Sequence, residues 1–232
     1  MPKSKRQRTK ALTKVDKKTS DLKQKVVESV REAVDSYATL FAFSFVNMRT
    51  NHFKEVRMDF RDSRFFLGKN KVMKVALGRT EAEEYADNLS KISRDLNGNV
   101  GLLFTDKTED EVTEYFNKLS EKDFARSGFV ATETVQVPQG PLPQFIGSMV
   151  ESLRTLGLPV DLKKGNVVLN QDYTICKEGQ TLTPEQCKLL VHFDRKMAEF
   201  KLVMLSSWSK GEYKRLADAS VNAIEDDDDE DM

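Results

Sequence analysis

The sequence predicts an α/β (α+β) protein in which a layered principal domain carries a small inserted α+β domain. Three observations carry this expectation. Apolar residues recur at helical spacing from Asp21, residues 39–46 alternate as a strand does, and this pairing of helix and strand repeats until the rhythm changes near Arg126. A chain of 232 residues with 39% hydrophobic content can bury a core, while 32% charged residues leave a polar surface.

Leu22, Val26, Val27, Val30, Ala33, Val34 and Tyr37 fall at three- and four-residue steps and predict a first helix packed on a sheet. In residues 39–46, Phe41, Phe43 and Phe45 alternate with Ala42 and Ser44 in a strand. No basic residue interleaves this aromatic stripe, so it reads as core and not as a base-stacking platform. A helix near residues 51–61 sets Phe53, Val56 and Phe60 inward and leaves Lys54, Arg57 and Arg61 at the surface. Phe65, Phe66 and Leu67 end a short strand, Gly68 permits a turn, and a basic amphipathic helix follows. Its expected buried face is Val72, Val75, Ala76 and Leu77, with Lys69, Lys71 and Lys74 outward.

Ala82, Tyr85, Ala86, Leu89, Ile92 and Leu96 mark a longer helix that Asn97-Gly98 closes in a left-handed cap. Residues 101–106 form a buried strand. Asp106 or Thr108 caps the next helix, with Val112, Tyr115, Phe116 and Leu119 on its apolar face. Shorter strands are expected at 132–137, 159–162, 166–169 and 173–176, among most of the prolines. Thr183-Pro184-Glu185-Gln186 starts a helix ending near Met197, and residues 200–206 form a last strand with Trp208 alone beyond it. The expected division is a basic arm at 1–20, a principal domain at 21–125 plus 182–208, an inserted domain at 126–181 and a disordered acidic tail at 209–232.

A formal net charge of zero conceals segregation: residues 1–25 carry ten Lys or Arg against two acids, and residues 225–231 are all acidic. The basic end suits a polyanion, which the acidic end repels. Two cysteines, Cys176 and Cys187, are too few for a disulfide framework and read as small buried residues of a protein in a reducing compartment. No apolar stretch approaches the ~20 residues of a membrane helix, and no secretory leader is evident, so no membrane partner is expected.

The Gly68-Lys69 turn lacks the spacing and the Ser or Thr of a phosphate-binding Walker loop, and His52 and His192 have no partners at catalytic or metal-site spacing. No catalytic residue, metal, cofactor or small-molecule substrate is expected. Arg49, Lys54, Arg57, Arg64, Lys69, Lys71, Lys74 and Arg79 instead fall within three consecutive elements. If these elements stack, they form a basic surface suited to folded RNA, helped by the positive end of the helix that begins near Lys69; the plain alternative is a solvated face. Residues 2–8 read as a nuclear address, an RNA-binding arm or a solubilising tail, and Lys10, Lys14, Lys17 and Lys18 extend that basic composition.

The string Phe65-Phe66-Leu67-Gly68-Lys69-Asn70-Lys71-Val72-Met73, with Gly98-Asn99-Val100-Gly101-Leu102-Leu103-Phe104-Thr105, resembles the stalk-base ribosomal proteins of the L-ten type. The opening six residues, residues 68–79, Leu182-Thr183-Pro184-Glu185-Gln186 and Met197-Ala198-Glu199-Phe200-Lys201 resemble more closely a nuclear relative, the mRNA turnover protein four family. The resemblance implies an L-ten-like rRNA-binding domain with an inserted second domain. It implies a non-enzymatic assembly factor of the large ribosomal subunit, acting in the nucleus and nucleolus with transient passage to the cytoplasm. Such a factor binds the pre-ribosomal particle at the rRNA of the GTPase-associated centre, beside a neighbouring rRNA-binding ribosomal protein of the stalk region. There it holds the place of the stalk-base protein until a release factor permits exchange.

The resemblance carries rRNA contact to Arg49, Arg57, Lys69, Asn70, Lys71 and Lys74. Residues 225–231 contain no apolar pair for factor docking, so no working stalk is expected to assemble on this chain. Alternatives are a short cytoplasmic stalk-base ribosomal protein, an RNA-processing or mRNA-decay enzyme, and a general nucleic-acid or histone binder driven by the charged ends.

Overall fold

The computed structural model describes residues 20–217. Lys10, Lys14, Lys17, Lys18 and the acidic run 225–231 lie outside the described residues. The chain runs α1 (Ser20–Ser36), β1 (Thr39–Val46), α2 (Thr50–Asp59), β2 (Arg64–Phe66), α3 (Asn70–Leu77), α4 (Leu89–Asp95), β3 (Val100–Thr105), α5 (Glu109–Lys118) and β4 (Glu121–Asp123). It continues through β5 (Val135–Val137), β6 (Gly140–Pro141), α6 (Val150–Thr155), β7 (Val160–Lys163), β8 (Asn166–Leu169), β9 (Tyr173–Cys176), α7 (Pro184–His192), β10 (Ala198–Ser209) and β11 (Glu212–Arg215). The described residues form two compact units: one takes residues 20–42, Asp62–Lys107 and residues 205–217, and the other Phe43–Arg61 and Thr108–Met204.

The first unit is built on a sheet in the order β11-β10-β1-β3-β2. β2 and β3 pair antiparallel, with Phe65 opposite Leu103. Val30 and Ala33 of α1, Met73, Ala76 and Leu77 of α3, and Leu89 and Ile92 of α4 share one core with Leu102 and Phe104 of β3. Arg31 ties α1 to α3: its Nε donates to the Ala76 carbonyl at 3.2 Å, and its guanidinium carbon lies 5.2 Å from the centre of the Tyr85 ring. α3 differs from its expected pattern at two positions. Met73 is buried, while Val75 is 43% exposed, because the packed edge of this short helix runs through Met73, Ala76 and Leu77.

The long helix expected over residues 82–96 shortens to α4. Residues 79–88 are instead taken up in a reversal that begins at Gly78, which sits at φ +104° and where a Cβ would fall 2.6 Å from the Glu83 oxygen and the Glu84 Cα. Only glycine lets the chain fold back so tightly on the end of α3, where the Tyr85 N–H reaches the Leu77 carbonyl at 3.1 Å. The Glu84 carboxylate then accepts the backbone N–H groups of Asn88 at 2.9 Å and Ser90 at 3.1 Å, satisfying donors at the start of α4.

The end of the sheet also departs from expectation. Trp208 is not beyond the last strand but within β10, buried, with its indole N–H donating to the Asp87 carbonyl at 2.8 Å. Residues 209–215, assigned from sequence to the tail, instead finish β10 and form β11. Antiparallel pairing pins them, and Ser206 and Tyr213 both donate to one oxygen of Asp95, at 2.6 and 3.0 Å.

In the second unit, Phe53 and Val56 of α2 are buried and the Phe60 ring stacks 5.2 Å from Phe116 of α5. Of the aromatic stripe on β1, Phe41 and Phe43 are fully buried, and Phe45, near the end of the strand, is half-buried. Thr108 and Glu111 form a capping box at α5, and Thr183 and Gln186 form another at α7. The segment 126–181 contributes the pair β5-β9 and the sheet β6-β8-β7. Its core residues Leu153, Leu158, Val167 and Leu169 pack in one cluster with Leu189 and Leu190, so α7 belongs with this segment, although the sequence reading returns it to the principal domain. α7 stops at His192, before the expected Met197, where Asp194 enters the left-handed region at φ +52°. Cys176 and Cys187 are buried in the same cluster, and burial pushes both thiols up, which suits inert core residues.

Candidate RNA interface

The structure divides the sequence-derived site between the two units. Arg64, Lys69, Asn70, Lys71 and Lys74 lie in the first, and Arg49, Lys54 and Arg57 in the second.

In the first unit, β2 delivers the chain to α3 through Leu67 and Gly68. Lys69 occupies the N-cap in extended conformation, and no side chain caps the helix, so donors of its first turn stay open to an anion. A Cβ on Gly68 would meet nothing within 4 Å, so this glycine leaves bare, accessible backbone beside Lys69 and is not required by a strained turn. Lys69 and Lys71 are exposed and form no ion pair among the described residues. Their charges are therefore free for phosphate. Lys74 is half-buried and donates to Asn97 Oδ1 at 2.7 Å, and Asn70 donates through Nδ2 to the Gly98 carbonyl at 2.8 Å. These two side chains hold a loop against α3, a role that periodicity does not reveal. Arg64 is exposed, its guanidinium carbon 5.0 Å from the centre of the Phe66 ring.

In the second unit, Lys54 and Arg57 are exposed on α2. Arg49 is occupied differently. Its Nε lies 3.2 Å from Asp123, another guanidinium nitrogen donates to the Phe124 carbonyl, and its side chain is only 23% exposed. His52 shares Asp123 at 3.6 Å and stacks on Phe200 with ring centres 5.7 Å apart. The pair Arg49 and His52 therefore anchors α2 to β4 and the start of β10.

Among the described residues no helix is long and apolar enough to cross a membrane, and no group of three His, Cys, Asp or Glu is placed to hold a metal ion. The geometry supplies a cationic, uncapped helix start with a braced loop beside it. Positive charge and open backbone donors in such an arrangement suit phosphates.

Comparison with known proteins adds the family. The model of the ribosomal protein L10 family matches residues 18–121, and that of the insertion domain found in 60S ribosomal proteins of this family matches residues 125–194. The chain is 43% identical to the ribosome assembly factor mrt4 of Dictyostelium discoideum, over 92% of this chain and 96% of the relative. It is 39% identical to the ribosome assembly factor mrt4 of Neurospora crassa, over 98% of this chain and all of the relative. A more distant relative, the large ribosomal subunit protein uL10 of Thermococcus sibiricus, is 24% identical over 83% of this chain but only 57% of its own length.

Proposed function

The chain belongs to the Mrt4 family of ribosome assembly factors, related to ribosomal protein L10, and from that premise we propose that it is a placeholder on the maturing large subunit. It binds the rRNA of the GTPase-associated centre on precursor particles, beside a neighbouring rRNA-binding protein of the stalk region. The stalk-base ribosomal protein later takes the same site, with a release factor permitting the exchange. The work is done in the nucleus and nucleolus and is binding, not catalysis.

The observation that carries this reading is the pair Lys69 and Lys71, exposed and without ion pairs at the uncapped start of α3. They lie within the residues that match ribosomal protein L10. A factor and a ribosomal protein that share this part of the fold compete for one RNA, because both present the same backbone shape to the same phosphates. Phosphate contacts set register and affinity, and folded RNA is recognised mostly by shape, so such mimicry needs no base code.

The test is binding of the purified protein to an rRNA fragment of the GTPase-associated centre, with the stalk-base ribosomal protein as competitor and an unrelated structured RNA as control. Selective binding that the competitor abolishes supports the placeholder. Equal affinity for both RNAs, or simultaneous occupancy, overturns it.

A further inference from the structure

One loop of the first unit is fastened to α3 by that helix's own side chains. Residues 96–99 join α4 to β3 and are held between two buried anchors, Leu96 and the first strand residue Val100. Gly98 turns the loop at φ +69°. Its carbonyl accepts both the Val100 N–H at 3.0 Å and the Asn70 side-chain amide at 2.8 Å. Asn97 is held from two sides, donating through Nδ2 to the Arg94 carbonyl at 2.8 Å and accepting from Lys74 at 2.7 Å. A connection of this length between two anchored elements closes without help, so the two bonds from α3 fix its position against the helix and not merely its closure.

What the bracing presents is Asn99. It lies next to the Val100 anchor, it is exposed, and its side chain has no hydrogen-bond partner among the described residues. An amide offers a donor and an acceptor side by side, which is what a base edge requires, whereas an ammonium offers only charge. The loop leans on the helix that carries Lys69 and Lys71, which have no ion pair among the described residues, and this favours RNA over an apolar protein partner.

We infer that the loop Asn97-Gly98-Asn99 is the second wall of the RNA face on α3, with Asn99 reading the edge of an unpaired base and Asn70 positioning the loop. This rests on the proposal that α3 meets rRNA, and it assigns that interface a sequence-reading part. Lys74 then contributes through Asn97, with its ammonium committed to the loop.

The experiment is equilibrium binding of the full chain to the GTPase-associated-centre fragment and to an unrelated structured RNA, across a salt series, for Asn99→Ala, Asn70→Ala and Lys71→Ala. Asn99→Ala is expected to lose about five- to tenfold in affinity for the fragment, with the unrelated RNA and the salt slope unchanged. Asn70→Ala is expected to lose the same selectivity, its melting temperature being recorded alongside to separate misfolding from loop displacement. Lys71→Ala weakens both RNAs and flattens the slope. If Asn99→Ala binds both RNAs as the parent does, or weakens both equally, while Lys71→Ala behaves as stated, base reading by the loop is overturned and the α3 face stands. If Lys71→Ala has no effect either, the α3 face itself is overturned.

Discussion

Arg49 and Asp123 form an internal ion pair, 3.2 Å apart although distant in sequence, with both side chains largely shielded from solvent. A residue that sequence places among the RNA contacts is thus committed inside the second unit. Arg49→Ala removes the guanidinium from Asp123, which keeps His52 and the Phe124 backbone N–H beside it, and takes a donor from the Phe124 carbonyl. The expected cost is about 1–2 kcal/mol in urea unfolding, with the salt slope of RNA binding unchanged. A slope that falls by about 1 at unchanged stability would instead make Arg49 a phosphate contact.

Lys69→Ala and Lys71→Ala are each expected to lower the salt slope of rRNA binding by about 1, as loss of one phosphate contact does. Lys74→Ala should lower it by less, because its ammonium is already bound to Asn97. Equal slopes for all three variants would contradict the distinction.

These two expectations show how far the sequence reaches. The start of α3 is legible because a strand end, a glycine and an amphipathic run are local signals. The commitment of Arg49 is not, since its partner arrives from a strand that only folding brings near. The fold back at Gly78 is equally hidden: apolar spacing over residues 82–96 fits a helix, whereas the reversal rests on the close approach of the Glu83 and Glu84 backbone to a glycine at φ +104°, a contact that periodicity does not report. β11 carries Glu212, Lys214 and Arg215, a composition that reads as tail, and its order comes from pairing with β10. Asn97 and Asn70 carry no periodic signal, because their role is a hydrogen bond between a loop and a helix.

Gly78→Ala is expected to destabilise the protein by more than about 2 kcal/mol, since the new methyl would collide with the Glu83 and Glu84 backbone and force a left-handed conformation on alanine. Gly68→Ala, where a Cβ meets open space, should be close to neutral in the same unfolding assay. A mild effect at Gly78 would refute the tight reversal after α3.

Tyr115 is held above the ordinary tyrosine range, first by burial and then by its hydrogen bond to Asp59 at 2.5 Å. Its raised folded-state value leaves this stability intact below the unfolded value near pH 10. As pH climbs past that point the unfolded chain releases the proton while the folded one keeps it, so stability is lost. Tyr115→Phe should therefore be less stable at neutral pH by about 1 kcal/mol and lose less stability than the parent above about pH 10. Parallel curves for the two proteins would contradict the assignment.

The central claim is that this chain and the stalk-base ribosomal protein occupy one site in turn. Precursor large subunits captured through a tag on this chain, and quantified by mass spectrometry, test it most directly. Particles that carry the chain should lack the stalk-base protein while containing the other large-subunit proteins in normal proportion. Particles that hold both in equal amount would contradict the account.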